Sequence, residues 1–426
     1  MGQVTSPVYA EKGMWDFRGS DTKQFTHCFH IYPAMMIPQI ARELFVRYGV
    51  EGGLLFDPYC GTGTSLVESR LAGMNSIGTD INPTARMIAN SKTTDYDLEM
   101  LDQYIEHTVL ELESNIESIT EYSSFIEPEY VTWERLEDWF PSRSIAEISY
   151  VLGKINEIEY DNASLFMRVA LSECLRLVSY QRNGEFKLYR IPPEKRNEYY
   201  EPLLPKLLNR IQRNRRGLGQ YYSNVDNSTT VKICDFNTVH DEGREYFPSI
   251  PGVDLVITSP PYGDSGTTVA YAQFSWLSNV WLGLDDKAPG ALDRELMGGR
   301  RNDVGKFGCP EMDHAIEAIA DEDGKRASEV MNFYNEYLLS IQNVASQIKK
   351  GGHVCFVVGN RTVKGTQLPT DQFTAWAFEQ EGLEHITTYI REIPNKRMPS
   401  KNSPSNKAGV KLSTIVNEYI VVCRKN

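Results

Sequence analysis

The run Val253-Asp254-Leu255-Val256-Ile257-Thr258-Ser259-Pro260-Pro261-Tyr262 constrains the fold of this chain more than any other stretch. Its first half is a short apolar run with one acid near its start, the pattern of a buried strand in a parallel sheet. Two prolines then remove two backbone donors and fix φ, so the ladder must end there. Ser259 and Tyr262 are thereby presented at the carboxyl end of a central strand, where open α/β sheets place their ligands. A proline-terminated strand with a packed tyrosine would account for Pro-Pro alone. A second strand end, rich in glycine, favours a site.

That second strand end is Gly53-Leu54-Leu55-Phe56-Asp57-Pro58-Tyr59-Cys60-Gly61-Thr62-Gly63-Thr64-Ser65. It reads as a strand running into a glycine loop, with a helix over 66–72 and a second strand over 76–80, which makes a βαβ unit. Glycine suits a tight turn that a ligand approaches closely. No Gly-Lys-Ser/Thr follows, so the loop is not a P-loop. Leu66 fills the third glycine position, so it is not the dinucleotide fingerprint either. Asp80 ends the second strand, where a carboxylate can accept both hydroxyls of a ribose. Asp235 ends a third strand (231–235) and is placed to accept from an adenine amino group. A glycine loop, a ribose acid and no phosphate device point to an adenosyl ligand without phosphates, which describes S-adenosylmethionine. The bland alternative is a glycine turn with two solvated aspartates.

The remaining pattern is that of an α/β protein, a Rossmann-like sheet with a large, mostly helical insertion. Residues 36–45 have helical spacing with a proline in the first turn. Apolar residues recur three and four apart in 98–120 and 145–180, so 84 to about 225 reads as helices. Residues 263–327 are polar and glycine-rich with little periodicity. An amphipathic helix is predicted over 328–350, capped by Gly351-Gly352, followed by a strand over 353–359. Residues 385–391 and 418–423 read as a closing pair of strands.

Composition excludes several classes. There is no apolar run of transmembrane length, and the N-terminus has no basic-then-apolar signal pattern, so a cytoplasmic protein without membrane contact is expected. The seven cysteines include no CxxC pair, and the seven histidines show no metal-ligand spacing, so no metal is expected. The net charge of −13 argues against non-specific nucleic-acid binding. Locally the balance reverses: residues 182–216 hold ten Lys and Arg against four Asp and Glu.

With both halves in view, the chain resembles the amino-methylating DNA methyltransferases, which use S-adenosylmethionine and modify exocyclic amino groups. Asp57 to Thr64 is similar to their motif I, Asp80 to the motif II acid, Asp235 to motif III and Ser259-Pro260-Pro261-Tyr262 to motif IV. Phe25 to Pro38 is similar to the N-terminal motif X, which packs over the methionine end of the cofactor. The Ser-Pro-Pro-Tyr form is typical of the cytosine-N4 branch. The resemblance implies cofactor contacts from Phe25, Thr26, His27, Tyr32 and Pro33, from Asp57, Pro58, Tyr59, Cys60, Gly61, Gly63, Thr64 and Ser65, and from Asp80, Ile81, Asn82, Asp235, Phe236 and Thr258. The product would be S-adenosylhomocysteine. The catalytic set would be Ser259, Pro260, Pro261 and Tyr262, with the Ser259 hydroxyl and Pro260 carbonyl as acceptors for the amine and Tyr262 stacked on the base. Residues 1–92 and 227–426 would form the methyltransferase domain. Residues 93–226 would be a helical insertion and a candidate target-recognition region.

The expected partner is double-stranded DNA, and a cognate restriction endonuclease is a candidate second partner. Basic residues interleaved with aromatics in 182–216 suit phosphate contact and stacking, which gives Arg182, Lys187, Arg190, Arg213, Arg215 and Arg216. Arg300, Arg301, Lys396, Arg397 and Lys401 form a second tier. Three rivals stay open: adenine-N6 methylation of DNA, guanine-N2 methylation of RNA, and a DNA-binding protein that has lost catalysis. The RNA enzymes share the Asp-Pro-Tyr-Cys-Gly-Thr-Gly-Thr loop but carry an N-terminal RNA-binding module, and few residues precede motif X in this chain.

Overall fold

The computed structural model describes residues 13–119, 136–182, 184, 186–225, 228–239, 252–264, 268–285, 289–298, 305–393, 401–402, 412–413 and 417–426. Seven strands form the main sheet: β1 (Leu54–Asp57), β2 (Asn75–Thr79), β3 (Val231–Cys234), β4 (Val253–Thr258), β5 (Ile348–Gly359), β6 (Leu383–Glu392) and β7 (Asn417–Lys425). Their spatial order is β3-β2-β1-β4-β5-β7-β6. β1 to β5 pair in parallel, and β7 is antiparallel to both its neighbours. The chain runs outward from β1 to β3 and then returns to lay β4 on the other side of β1. Such a reversal opens a crevice at the carboxyl ends of the two strands.

All six residues of β4 are buried, as its apolar run requires. Leu255 and Ile257 face a core shared with α1 (Pro38–Tyr48) and α2 (Thr64–Leu71). Val253 and Val256 face a second core, built on α10 (Pro310–Glu322), α11 (Gly324–Gln347) and α12 (Thr370–Gln380). Asp254 is the polar exception. Its carboxylate accepts from Leu54 N at 3.0 Å and pairs with Lys349.

The insertion supplies α4 (Leu98–Asn115), α5 (Ser142–Asn156), α6 (Asp161–Leu175) and α7 (Leu203–Tyr222). These pack into a third core together with α3 (Pro83–Thr93) and α8 (Tyr271–Trp281). Helices from both sides of the sequence insertion therefore share one apolar interior.

Three expectations need correction. The stretch 263–327 carries helices, namely α8, α9 (Pro289–Glu295) and α10. α8 is buried on most sides, with Ser275, Ser278 and Asn279 inside beside its apolar residues, so it has no clear amphipathic stripe to read. In α10 the buried Met312, Ala315, Ile316 and Ile319 do keep helical spacing, diluted by small alanines. Second, Gly351-Gly352 does not cap a helix. α11 ends at Gln347, Ile348 is already extended and pairs with Val253, and the ladder resumes at His353 opposite Leu255. The glycines lie in that bulge. Third, α12 fell outside the predicted elements.

Candidate active site

A cleft with about 970 Å³ of space between atoms, counting its open mouth, lies at the carboxyl ends of β1, β2 and β4. It collects the glycine loop, Asp80 and Ser259 into one chamber. Its lining holds three carboxylates, Asp57, Asp80 and Glu295, and among the described lining residues no Lys, Arg or His.

The loop after β1 is built to bring backbone close to a ligand. Gly63 N-caps α2 with φ 79°, a left-handed conformation that glycine adopts without strain. Any Cβ on it would also press on Ala89 at 3.0 Å. Gly61 N donates to Asp80 Oδ2 at 3.0 Å, and Asn82 N donates to Asp80 Oδ1 at 2.7 Å. Each carboxylate oxygen keeps lone-pair capacity toward the cleft, as two ribose hydroxyls would need. Burial pushes the Asp80 carboxyl above its ordinary range. Asn82 caps α3 through its side-chain oxygen, while its amide donates to Tyr32 Oη at 2.9 Å and Ser275 Oγ at 2.8 Å. Pro58, Tyr59, Cys60, Thr64, Ile81 and Phe236 also line the cleft.

Other predicted contacts are spent on holding the walls. Thr258 and Ser65 are buried and donate to Asp57, which also accepts from Tyr59 N at 3.1 Å. Asp235 does not line the cleft. Its exposed carboxylate pairs with Arg86 at 2.8 Å, and Arg86 also donates to Asp80 O at 2.7 Å, which clips the ends of β2 and β3 together. The cleft wall after β3 is formed instead by Phe236, Asn237, Thr238 and Val239.

The N-terminal segment divides in the same way. Phe25, Thr26 and His27 form a 3-10 turn that packs on α2 and α7 rather than in the cleft. His27 Nε2 contacts Glu68 at 2.9 Å, and Arg42 holds the same carboxylate at 2.8 Å. Tyr32 and Pro33 do reach the cleft, and Ala34, Met35 and Met36 continue the wall. Tyr32 stacks with Tyr271 of α8, with centroids 6.1 Å apart and planes at 21°. Sequence reasoning missed Tyr271, and also Glu295, Leu296 and Met297 at the end of α9, because their elements were not recognised. The aromatic density of 271–281 was the available signal.

Ser259 and Pro261 line the cleft. Pro260 is buried behind them. Tyr262 lies outside the lining, and its hydroxyl accepts from Ser259 Oγ at 3.3 Å and donates to Glu418 Oε1 of β7 at 3.0 Å. Arg391 of β6 holds the other oxygen of Glu418.

Three of the basic candidates are paired within the chain. Arg213 pairs with Glu173, 5 % exposed, Arg215 with Asp102 at 2.5 Å, and Arg190 with Asp138 at 3.5 Å. Arg216 is exposed. Arg182, Lys187 and Arg190 belong to a loop closed by a bridge between Gln181 and Arg190, with Arg182 N donating to Tyr189 O at 2.7 Å. Arg190 also stacks over Trp139 at 5.0 Å. Arg300, Arg301, Lys396 and Arg397 lie outside the described residues, as does the side chain of Lys401. Among the described residues there is no cluster of His, Cys, Asp and Glu able to hold a metal ion, and no helix long and apolar enough to cross a membrane.

The strand order, the reversed β7 and the cleft at the switch point define a class I methyltransferase fold. No protein-family model matches the chain. Type II methyltransferase M.MvaI of Kocuria varians is 37 % identical over 430 residues, covering 96 % of this chain and 93 % of that protein. Type II methyltransferase M.BsoBI of Geobacillus stearothermophilus is 22 % identical over 297 residues, 63 % of this chain and 55 % of that protein. A tRNA (guanine(10)-N2)-dimethyltransferase of Methanocaldococcus jannaschii matches at 35 % over 77 residues, 18 % of this chain and 21 % of that protein. The chain belongs to the type II methyltransferase family.

Its cofactor is S-adenosylmethionine, and the cleft fits that molecule. Asp80 suits a ribose, the absence of cations from the described lining suits a ligand without phosphates, and the Tyr32 and Tyr271 rings and three carboxylates suit a sulfonium cation.

Proposed function

We propose that this protein transfers a methyl group from S-adenosylmethionine to the exocyclic N4 of a cytosine flipped out of double-stranded DNA, as the modification partner of a restriction endonuclease. The observation that carries the reading is that Ser259 lines the same cleft as Asp80. The full-length similarity to a type II methyltransferase supports a DNA substrate. The Ser-Pro-Pro-Tyr sequence supports the cytosine-N4 branch over the adenine-N6 branch.

When bound, the cofactor supplies a methyl group on an electron-poor sulfur. The chain must do the rest. The cytosine amine is a weak nucleophile because its lone pair is delocalised into the ring. Holding it in line with the methyl group gains from proximity. Ser259 Oγ and the Pro260 carbonyl accept its two N–H bonds, which stabilises the charge that builds on nitrogen during transfer. Proline suits this position because its carbonyl is rigidly placed and it brings no competing N–H. Tyr262 lies outside the cleft lining, and its hydroxyl accepts from Ser259 Oγ rather than its ring meeting the base.

The loop around 181–190 is the best-placed DNA contact. Phe186 and Tyr189 are 41 % and 49 % exposed. The loop is pinned to α8 by Leu188 N donating to Gln273 Oε1 at 3.3 Å and by Phe186 against Phe274, 6.2 Å between centroids. Phe274 in turn contacts Tyr32 of the cleft wall at 5.5 Å. Exposed rings flanked by Arg182, Lys187 and Arg190 suit a surface that meets phosphates and bases beside the cleft.

The test is transfer of tritiated methyl groups from S-adenosylmethionine to mixed-sequence duplex DNA and, in parallel, to tRNA. Label in DNA that is lost in Ser259→Ala supports the reading. Label in tRNA alone moves the substrate to RNA.

A further inference from the structure

Amine methylation has a proton problem that the acceptors on the amine do not solve. The new N–C bond forms as the donor's S–C bond breaks, with that electron pair staying on sulfur. The nitrogen gives up one proton, which must leave the cleft. Of the three carboxylates that line the cleft, Asp57 already receives three donors and Asp80 two backbone N–H groups.

One path leads out of the cleft from the reacting end. Ser259 Oγ donates to Tyr262 Oη at 3.3 Å, and Tyr262 Oη donates to Glu418 Oε1 at 3.0 Å. Both hydroxyls therefore point their protons away from the cleft and toward a carboxylate. The orientation leaves the lone pairs of Ser259 Oγ free to accept from an incoming N–H. The first link is long for a pair of hydroxyls, as is common before a substrate arrives. Burial, and then the Glu418 carboxylate, hold the Tyr262 phenol well above its ordinary range, so it stays protonated and able to donate. Arg391 holds the far oxygen of Glu418, and the Glu418 side chain is 17 % exposed, so it reaches water at its edge.

We propose that Ser259, Tyr262 and Glu418 form a proton exit path for the methylated amine. As the amine releases its proton to Ser259 Oγ, the Ser259 proton passes to Tyr262 Oη and the Tyr262 proton passes to Glu418. The path ends with a neutral Glu418, which returns its proton to solvent while Arg391 keeps it in place. No oxidant, metal or further reactant is needed. Ser259 touches the base, whereas Glu418 acts through two hydroxyls and is a positioning and proton-accepting residue. The proposal rests on amine methylation as the reaction.

The test is single-turnover methylation of duplex DNA by the full chain, in H2O and D2O, for the wild type, Tyr262→Phe and Glu418→Gln. Tyr262→Phe keeps the ring and the Glu418–Arg391 pair but removes the middle hydroxyl. Expected are rates lowered about 10²-fold in both variants, the lower end of what a positioned acid–base group contributes, with S-adenosylmethionine and DNA affinities within about twofold of wild type on that same account. The wild type should show a solvent isotope effect that Tyr262→Phe loses. Tyr262→Phe turning over at the wild-type rate would overturn the path, and so would slowing confined to Glu418→Gln, which reports a structural role. If the wild type labels no DNA, the reaction assignment itself fails and the path falls with it.

Discussion

Asp57 Oδ1 accepts a hydrogen bond from Thr258 Oγ1 at 2.5 Å, joining the carboxyl ends of β1 and β4. The same carboxylate accepts from Ser65 at the start of α2 and from Tyr59 N in the glycine loop. One buried acid thus fixes the cofactor loop to the strand that presents Ser259. Burial outweighs its hydrogen bonds and pushes its pKa up to about 6.

That shift has a sign. A carboxyl whose folded pKa lies above its unfolded value binds its proton more tightly when folded. Its stabilising contribution is full below the unfolded pKa and is lost as pH rises through the folded value near 6. Between pH 7 and pH 5 the wild type should therefore gain roughly 1 kcal/mol relative to Asp57→Asn. Denaturant melts of both proteins at the two pH values measure this. Parallel pH profiles would show that Asp57 titrates normally.

Asp80→Ala removes the two acceptors assigned to the ribose. Hydrogen bonds to a charged group are worth about 1.5–3 kcal/mol, so S-adenosylmethionine affinity should fall roughly 10- to 150-fold while the protein stays folded. Calorimetry reads the affinity and circular dichroism the fold. Unchanged affinity would remove Asp80 from the cofactor site.

Gly217 lies in α7 against the turn at Phe25–Cys28. A Cβ there would stand 2.4 Å from both Cys28 Sγ and Phe25 O. Alanine normally favours a helix over glycine by about 1 kcal/mol, yet overpacking costs about 1–3 kcal/mol. Gly217→Ala should therefore destabilise the protein, and it should weaken cofactor binding because the same segment leads to Tyr32 and Met35 in the cleft. Thermal melts and cofactor titration check both.

Phe186→Ala should lower methylation of fully paired DNA several-fold with cofactor affinity unchanged. A mismatch at the target base makes flipping cheaper. If Phe186 supports the opened duplex, the mismatched substrate should restore much of the lost rate. An equal defect on paired and mismatched DNA would assign the ring to another contact.

The chemistry-bearing strand ends were legible because they break local rules. Pro-Pro after an apolar run and Gly-x-Gly before a helix have few structural solutions, and Ser259, Gly61 and Asp80 do meet in one cleft. The walls were less legible. Tyr271 sits on a helix that is buried on most sides and mixes polar with apolar residues inside, so periodicity carries little signal there. Asp235 and Arg213 look alike in sequence to residues that meet ligands. Arg86 and Glu173, distant in the chain, claim them. Glu418 gave no signal at all, since its role exists only where β7 crosses beside β5 and brings it to Tyr262.

The most direct test of the central claim is nucleoside mass spectrometry of mixed-sequence duplex DNA after incubation with the protein and S-adenosylmethionine. N4-methylcytosine is the predicted product. N6-methyladenine in its place would contradict the assignment of the base, and unmodified DNA beside intact cofactor binding would contradict the substrate.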